Sequence, residues 1–483
     1  MAKVAFIQFE LRTRIGVMTL SAMLKKHGHE TAVFTGYDDD IVKSIMEYRP
    51  SLVAISSSTI EHLFGLDVAQ KLKKAGNKAP IIMGGPHTTF YPEETLAQEG
   101  LDGVCIGEGD DLIVEVADRI EAKSGYSDLK NLWLKESGTI VKNDIRNLIE
   151  DLDRLPFPDR TIYFTKYASL RKSPTATFIL GRGCPHACSF CFNHLMKRIY
   201  AGRGRFVRLP SVDYAIAEIK DVKDRYGFKW VQINDDTINV SRKWLEEFLH
   251  KYKKEINTPF ICNIRVDNMD EDLADLFVHA GVNRINFGVE TGNEDIRKNI
   301  LARDMSNEQL IKVGNMFRKR GVRVFTANMI GLPGETIDNA FETIKINRQI
   351  NPELAAFDIL QPFPKTDIYE YCQKKGLIKD GVTVNDFLGF NCGGWAANKR
   401  TGSVLRQDNA RELVNLQKFT SLLVRYYWLA PIVRPLIKLK PNRFFDFING
   451  YTQMGYKIKY ATSIEEKWVH IKDLALILIR GKK

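Results

Sequence analysis

Apolar runs alternate with helically spaced apolar positions over the first 140 residues. KVAFIQF (3–9) is nearly unbroken, as a strand covered on both faces requires. IGVMTLSAMLKKHGHE (15–30) spaces its apolar residues for a helix and ends near Gly28. TAVFTG (31–36), LVAISSS (52–58), PIIMGGPH (80–87) and GVCIGEGD (103–110) read as further strands. DDDIVKSIMEYR (38–49), LFGLDVAQKLKKAG (63–76) and YPEETLAQEG (91–100) read as the helices between them. Strand and helix in strict turn predict an α/β, doubly wound parallel sheet.

In such sheets a ligand sits beyond the carboxyl ends of the strands. Those ends carry Ser56, Ser57, Ser58 and Thr59, then Gly84, Gly85, Pro86 and His87, then Gly107, Glu108 and Gly109. Small residues let a bulky ligand approach the backbone. No G-x-G-x-x-G follows the first strand, which argues against a dinucleotide. A hairpin at 131–144 and a two-proline stretch, LDRLPFPDR (152–160), then read as a connection.

A second alternation begins near residue 170. A strand is expected at 176–180, then further strands at 230–240, 260–267, 284–292, 324–336 and 356–370. Helices are expected at 211–227, 241–256, 270–280, 306–320 and 336–350. Six such repeats predict a partial (β/α)6 barrel of the TIM type, with functional side chains at the strand carboxyl ends. Domains are expected at 1–140, 171–385 and 386–483, with a linker at 141–170; about 150 residues per domain is ordinary.

Seven cysteines are present, and three of them, Cys184, Cys188 and Cys191, lie in GRGCPHACSFCFN (181–193). C-x3-C-x2-C supplies three corners of a four-iron cluster and leaves the fourth iron open. Zinc prefers paired C-x2-C or added histidines, which His186 or His194 could in principle provide. The other cysteines are scattered, and no signal-peptide pattern precedes the first strand. These features predict a reducing, cytoplasmic setting.

The C-x3-C-x-Φ-C pattern, with Phe190 before the last cysteine, resembles the radical S-adenosylmethionine (SAM) superfamily. The first domain, with its apolar first strand, SSS, GGPH and GEGD, resembles the cobalamin-binding domain found ahead of many such enzymes. Together they resemble the cobalamin-dependent radical SAM family over residues 1 to about 375. The resemblance implies a flavodoxin-like (Rossmann-like) cobalamin domain, a radical SAM barrel and a [4Fe–4S] cluster on Cys184, Cys188 and Cys191. It implies that Ser56, Ser57, Ser58, Gly84, Gly85, Pro86, His87, Gly107 and Glu108 line cobalamin. The D-x-H-x-x-G motif is absent, so no histidine is expected beneath cobalt; Arg12 or Arg14 would lie near the lower corrin face. It places Phe190, Asp235, Asp236, Arg265, Glu290, Gly331 and Gly334 around SAM.

The activity implied is a methyl transfer. A 5′-deoxyadenosyl radical abstracts hydrogen, and an unactivated carbon or phosphorus then takes the methyl group from methylcobalamin. The alternative is a non-methylating cyclase or rearrangement enzyme acting on a lipid-like or tetrapyrrole substrate. A methylthiotransferase would normally bring three more cysteines in its first domain, where only Cys105 stands. A flavodoxin or ferredoxin would supply electrons under anaerobic conditions.

Charge changes the picture at one end. The formal net charge is +11, and from Lys399 onward there are 17 Lys and Arg against 6 Asp and Glu, so this tail carries the whole excess. Its aromatics lie among aliphatic and basic residues, and Pro431, Pro435 and Pro441 predict short helices. That pattern suits a mainly helical region, either packed on the barrel or in peripheral contact with the inner face of an anionic membrane. It argues against nucleic acid. Cys392, in a glycine-rich stretch (389–402), is expected to be a buried spectator.

Overall fold

The computed structural model describes residues 1–136, 138–387 and 403–460. Cys392, the glycine-rich stretch around it and the terminal segment 464–483 lie outside the described residues. The chain divides into two compact units. The first comprises residues 1–173, 177–183 and 196–228; the second comprises 174–176, 184–195 and 229–483.

The first unit holds seven strands. They are β1 (Lys3–Gln8), β2 (Glu30–Thr35), β3 (Leu52–Ser56), β4 (Ile81–Gly84), β5 (Gly103–Cys105), β6 (Leu132–Glu136) and β7 (Thr139–Lys142). Their order is β2-β1-β3-β4-β5-β6-β7. β1 to β5 pair in parallel, and β6 and β7 continue antiparallel as the expected hairpin. The order reverses direction at β1, between β2 and β3, which opens a crevice at the carboxyl ends. Apolar residues of β1 serve both faces: Val4 and Phe6 enter one core, Ala5 and Ile7 the other. That is why the run shows no alternation.

The second sheet has the order β13-β12-β11-β10-β9-β8. Its strands are β8 (Thr175–Phe178), β9 (Trp230–Ile233), β10 (Phe260–Asn263), β11 (Val282–Glu290), β12 (Arg323–Ile330) and β13 (Leu354–Ile359). β9 to β13 pair in parallel, as in a partial barrel. Side-chain caps from Ser241, Asp270, Ser306 and Thr336 start the intervening helices. β9 is shorter than the strand expected to residue 240 and stops at Ile233, where the polar stretch Asn234, Asp235, Asp236, Thr237 begins. The stretch read as a sixth strand to residue 370 also breaks early. Pro362 and Pro364 follow β13, and Thr366 caps a helix over Asp367–Lys374.

Helices Ala410–Arg425, Ala430–Leu436 and Arg443–Tyr460 follow. Leu413, Leu416, Phe419, Val433 and Phe445 pack against Ile330, Ala355 and Phe357, so these helices complete the core behind β12 and β13. Pro431 opens its helix and Pro435 lies within it, while Arg443–Tyr460 runs 18 residues, longer than the proline spacing suggested.

Candidate functional site

At the carboxyl ends of the first unit's parallel strands lie the loops that follow β3, β4 and β5. Ser57 N donates to Gly84 O (3.0 Å), tying the first two loops together. Gly85 has φ +106°, and a Cβ there would lie 2.6 Å from Ser57 O; only glycine permits this approach. Arg14 donates to Ser56 O (3.2 Å) and pairs with Glu61, which also accepts from Ser58 Oγ (2.9 Å). Arg14 is therefore held by the β3 loop, an arrangement the sequence did not signal. His87 is buried, with its ring stacked on His62 at 4.0 Å, whereas Pro86 stands exposed at the start of a short helix.

Glu108 faces cations of its own unit. Its carboxylate accepts from Arg208 Nη1 (3.0 Å) and pairs with Arg182 (3.2 Å). Arg182 also grips buried Asp110 with both arms at 2.9 Å. Burial opposes ionisation of Asp110, but the Arg182 guanidinium outweighs it and holds the carboxyl below its usual value. Glu108 N donates to Tyr200 Oη (2.8 Å), leaving Gly107 no room for a side chain.

In the second unit, the loop 184–195 bears the three cysteines. Cys191 N donates to Cys188 O (3.0 Å), closing a tight backbone turn between the second and third cysteines. All three are unbridged; Cys188 is buried, and Cys184 and Cys191 are half-buried. Burial raises the Cys184 thiol and pushes that of Cys191 up to about 11. Among the described residues, no three His, Cys, Asp or Glu side chains gather as a single-ion site. Three thiols on one loop are the donor set a polynuclear iron–sulfur cluster uses, each sulfur taking a different iron.

Arg265, at the end of β10, donates to Cys188 Sγ (3.5 Å) and holds Asp267 with two bonds of 3.1 and 2.8 Å. Arg303 also donates to Cys188 Sγ (3.7 Å), and to Gly288 O (2.8 Å). Glu290 lies 3.6 Å from Arg303 and is buried; desolvation raises its carboxyl despite that cation. A bulge in β11 puts Glu290 at φ +64°, an uncommon conformation for a side-chain-bearing residue. A Cβ on Gly288 would lie 1.9 Å from Glu290 Oε1, so that glycine makes the carboxylate's room.

The remaining expected residues sit on neighbouring loops. Asp235 is buried, with its carbonyl accepting from Asn263 Nδ2 (2.8 Å), while Asp236 is exposed beside Asn193. Phe190 packs on a cluster containing Leu332 and Leu360. Gly331, at φ +77°, donates to Glu335 Oε2, as does Leu332 N (3.2 Å); Gly334 is exposed. Among the described residues Glu335 Oε1 is buried without a hydrogen-bond partner. Burial pushes the Glu335 carboxyl up to about 7. Arg303 and Glu335 escaped the sequence reading. Arg303 stands outside any strand end; Glu335 follows GLPG directly, which was a usable signal.

Residues 178–346 match the radical SAM superfamily and residues 11–117 match the B12 binding domain. An uncharacterized methyltransferase of Pyrococcus horikoshii is 26% identical over 75% of this chain and 79% of its own length. The anaerobic magnesium-protoporphyrin IX monomethyl ester cyclase of Rubrivivax gelatinosus is 23% identical over 78% of this chain and 68% of its own. Among solved structures, the cobalamin-dependent S-adenosylmethionine radical enzyme OxsB, with aqua-cobalamin and S-adenosylmethionine bound, superposes with a TM-score of 0.70 at 14% identity. That superposition covers 99% of this chain and 75% of the other.

Proposed function

The chain belongs to the radical SAM superfamily, with a B12-binding domain ahead of the radical SAM domain, and we propose that it methylates an unactivated carbon or phosphorus of a small molecule. Its cofactors are a [4Fe–4S] cluster, S-adenosylmethionine and cobalamin, and it needs a one-electron reductant, for which a flavodoxin or ferredoxin is suited. When bound, the cluster delivers an electron that cleaves S-adenosylmethionine to a hydrogen-abstracting 5′-deoxyadenosyl radical, and cobalamin supplies the methyl group.

The observation that carries the reading is the cysteine loop beside Arg265, Glu290 and Asp236. Cys184, Cys188 and Cys191 would hold the cluster. Glu290, anchored by Arg303, and the neighbouring Asp235 and Asp236 would receive the ammonium of S-adenosylmethionine. Gly331 and Gly334 would let its adenine lie against the backbone, with Phe190 packing beneath. In the first unit, Ser56, Ser57, Ser58, Gly84, Gly85, Pro86, His87, Gly107 and Glu108 form the edge that would receive cobalamin. Glu108, already paired with two arginines, would act there through its backbone.

The test is anaerobic turnover of the reconstituted protein with methyl-deuterated S-adenosylmethionine and a cell extract. A product carrying the label, with S-adenosylhomocysteine and 5′-deoxyadenosine both formed, supports methylation. The cyclase relative favours a second reading, ring closure or rearrangement without methyl transfer. Formation of 5′-deoxyadenosine with no S-adenosylhomocysteine would replace the first reading by the second.

We also propose that the substrate is lipid-like and is met at an anionic membrane surface. Trp428 (70% exposed), Phe444 (62%) and Ile432 (55%) project from the C-terminal helices, and Lys438, Lys440 and Arg443 are exposed near them in sequence. No helix among the described residues is long and apolar enough to cross a membrane. Flotation with vesicles containing phosphatidylglycerol tests this. Loss of flotation in Trp428→Ser/Phe444→Ser supports it; wild-type protein that stays at the bottom of the gradient ends it.

A further inference from the structure

Arg265 and Arg303 reach the same sulfur from different elements. One comes from the end of β10, the other from the loop before helix Asn307–Lys319. Both side chains are buried, and both place Nη1 toward Cys188 Sγ, at 3.5 and 3.7 Å. Each is locked by further partners: Arg265 by the two-armed bond to Asp267, Arg303 by Gly288 O and Glu290. Two guanidinium groups from different elements fixed on one thiol are an arrangement that simple packing does not require.

Resting on the assignment of Cys188 as a cluster ligand, we propose that Arg265 and Arg303 form a two-guanidinium clamp on this one corner, which raises the reduction potential of the [4Fe–4S] centre. A thiolate bound to iron retains lone pairs that accept N–H donors. Donors to a ligating sulfur, and positive charge beside it, favour the reduced state, which is one unit more negative. The electron comes from the external one-electron reductant; no bond in the protein is made or broken. Arg265 is thereby committed to the cluster and Asp267, and its role is positioning and tuning rather than capture of the S-adenosylmethionine carboxylate.

The clamp is tested in full-length reconstituted protein without S-adenosylmethionine. The reduced-cluster electron paramagnetic resonance signal is followed against potential. Arg303→Gln and Arg265→Gln are each expected to lower the midpoint, by at least a tenfold change in the reduction equilibrium, about 59 mV for one electron. Arg303→Lys and Arg265→Lys, which keep the charge but lose the fork, are expected to fall between. Because the signal reports only loaded protein, partial loading of a variant leaves the midpoint readable. An unchanged midpoint in both glutamine variants overturns the clamp. A midpoint that moves equally for lysine and glutamine at both sites also overturns it, since general disturbance would then be the cause. Wild-type protein that takes up no iron overturns the cluster assignment itself, a separate outcome.

Discussion

A Cβ on Gly107 would lie 1.9 Å from Tyr200 Oη, the atom that accepts the Glu108 backbone N–H at 2.8 Å. Two residues separated by 93 positions thus meet in one turn, and Gly107 cannot gain a side chain while Tyr200 stays in place. Gly107→Ala meets both that clash and a φ of +75°. It is expected to destabilise the first unit by about 2–5 kcal/mol, combining left-handed strain with overpacking. Denaturant unfolding read by tryptophan fluorescence checks it; a change within about 0.5 kcal/mol, the range of ordinary surface substitutions, would refute it.

Arg182→Met should cost about 3–5 kcal/mol, because it leaves the buried Asp110 carboxylate without its two-armed partner. Asp110 titrates below its usual value in the folded chain. Its contribution is therefore present above the ordinary aspartate range and is lost as pH falls through the folded value. The wild-type minus Arg182→Met difference in unfolding free energy should narrow on acidification. A constant gap from pH 7 to pH 3 would show that the pair is not the source.

Glu335 runs the other way. Burial raises its carboxyl from 4.5 to about 7, so the native chain keeps a proton that the unfolded chain has released. Stability from this group is full below the unfolded value and declines as pH rises toward 7, by about 3 kcal/mol in all. Glu335→Gln, permanently neutral and still able to accept from Gly331 and Leu332, should flatten that decline. Parallel stability curves for the two proteins between pH 4.5 and 7.5 would contradict the assignment.

Alanine at Cys184, Cys188 or Cys191 should each abolish the visible absorbance of the reconstituted cluster, since an iron corner loses its ligand. Alanine at Cys105 or Cys372, buried elsewhere, should leave it intact. Retention of full iron and absorbance in any of the first three variants would remove that cysteine from the ligand set.

The sheets were legible because burial writes itself into local sequence: β1 is apolar throughout, and the helices between strands carry both period and caps. The cysteine loop was legible because its three cysteines, Cys184, Cys188 and Cys191, lie within eight consecutive residues. Long-range pairing was not. Nothing near Glu108 announces Arg208, and nothing near Cys188 announces Arg303, 115 residues away. Local pattern also overran at β13, where Leu360 follows the last ladder residue and serves loop packing instead, and at β9, whose expected extension past Ile233 is the polar loop Asn234, Asp235, Asp236, Thr237. The C-terminal helices left two readings open, packing on the barrel or membrane contact; Phe419 and Phe445 are core residues, so part of the aromatic content serves packing.

Arg208 and Tyr200 belong to the first compact unit although they are translated after the cysteines. A ribosome must therefore emit the cysteine loop before the N-terminal fold can close its last ion pairs. Cluster loading during synthesis would then find an unfinished neighbour, and a truncation ending at residue 173 would yield an N-terminal fragment with Asp110 and Glu108 stripped of both arginines.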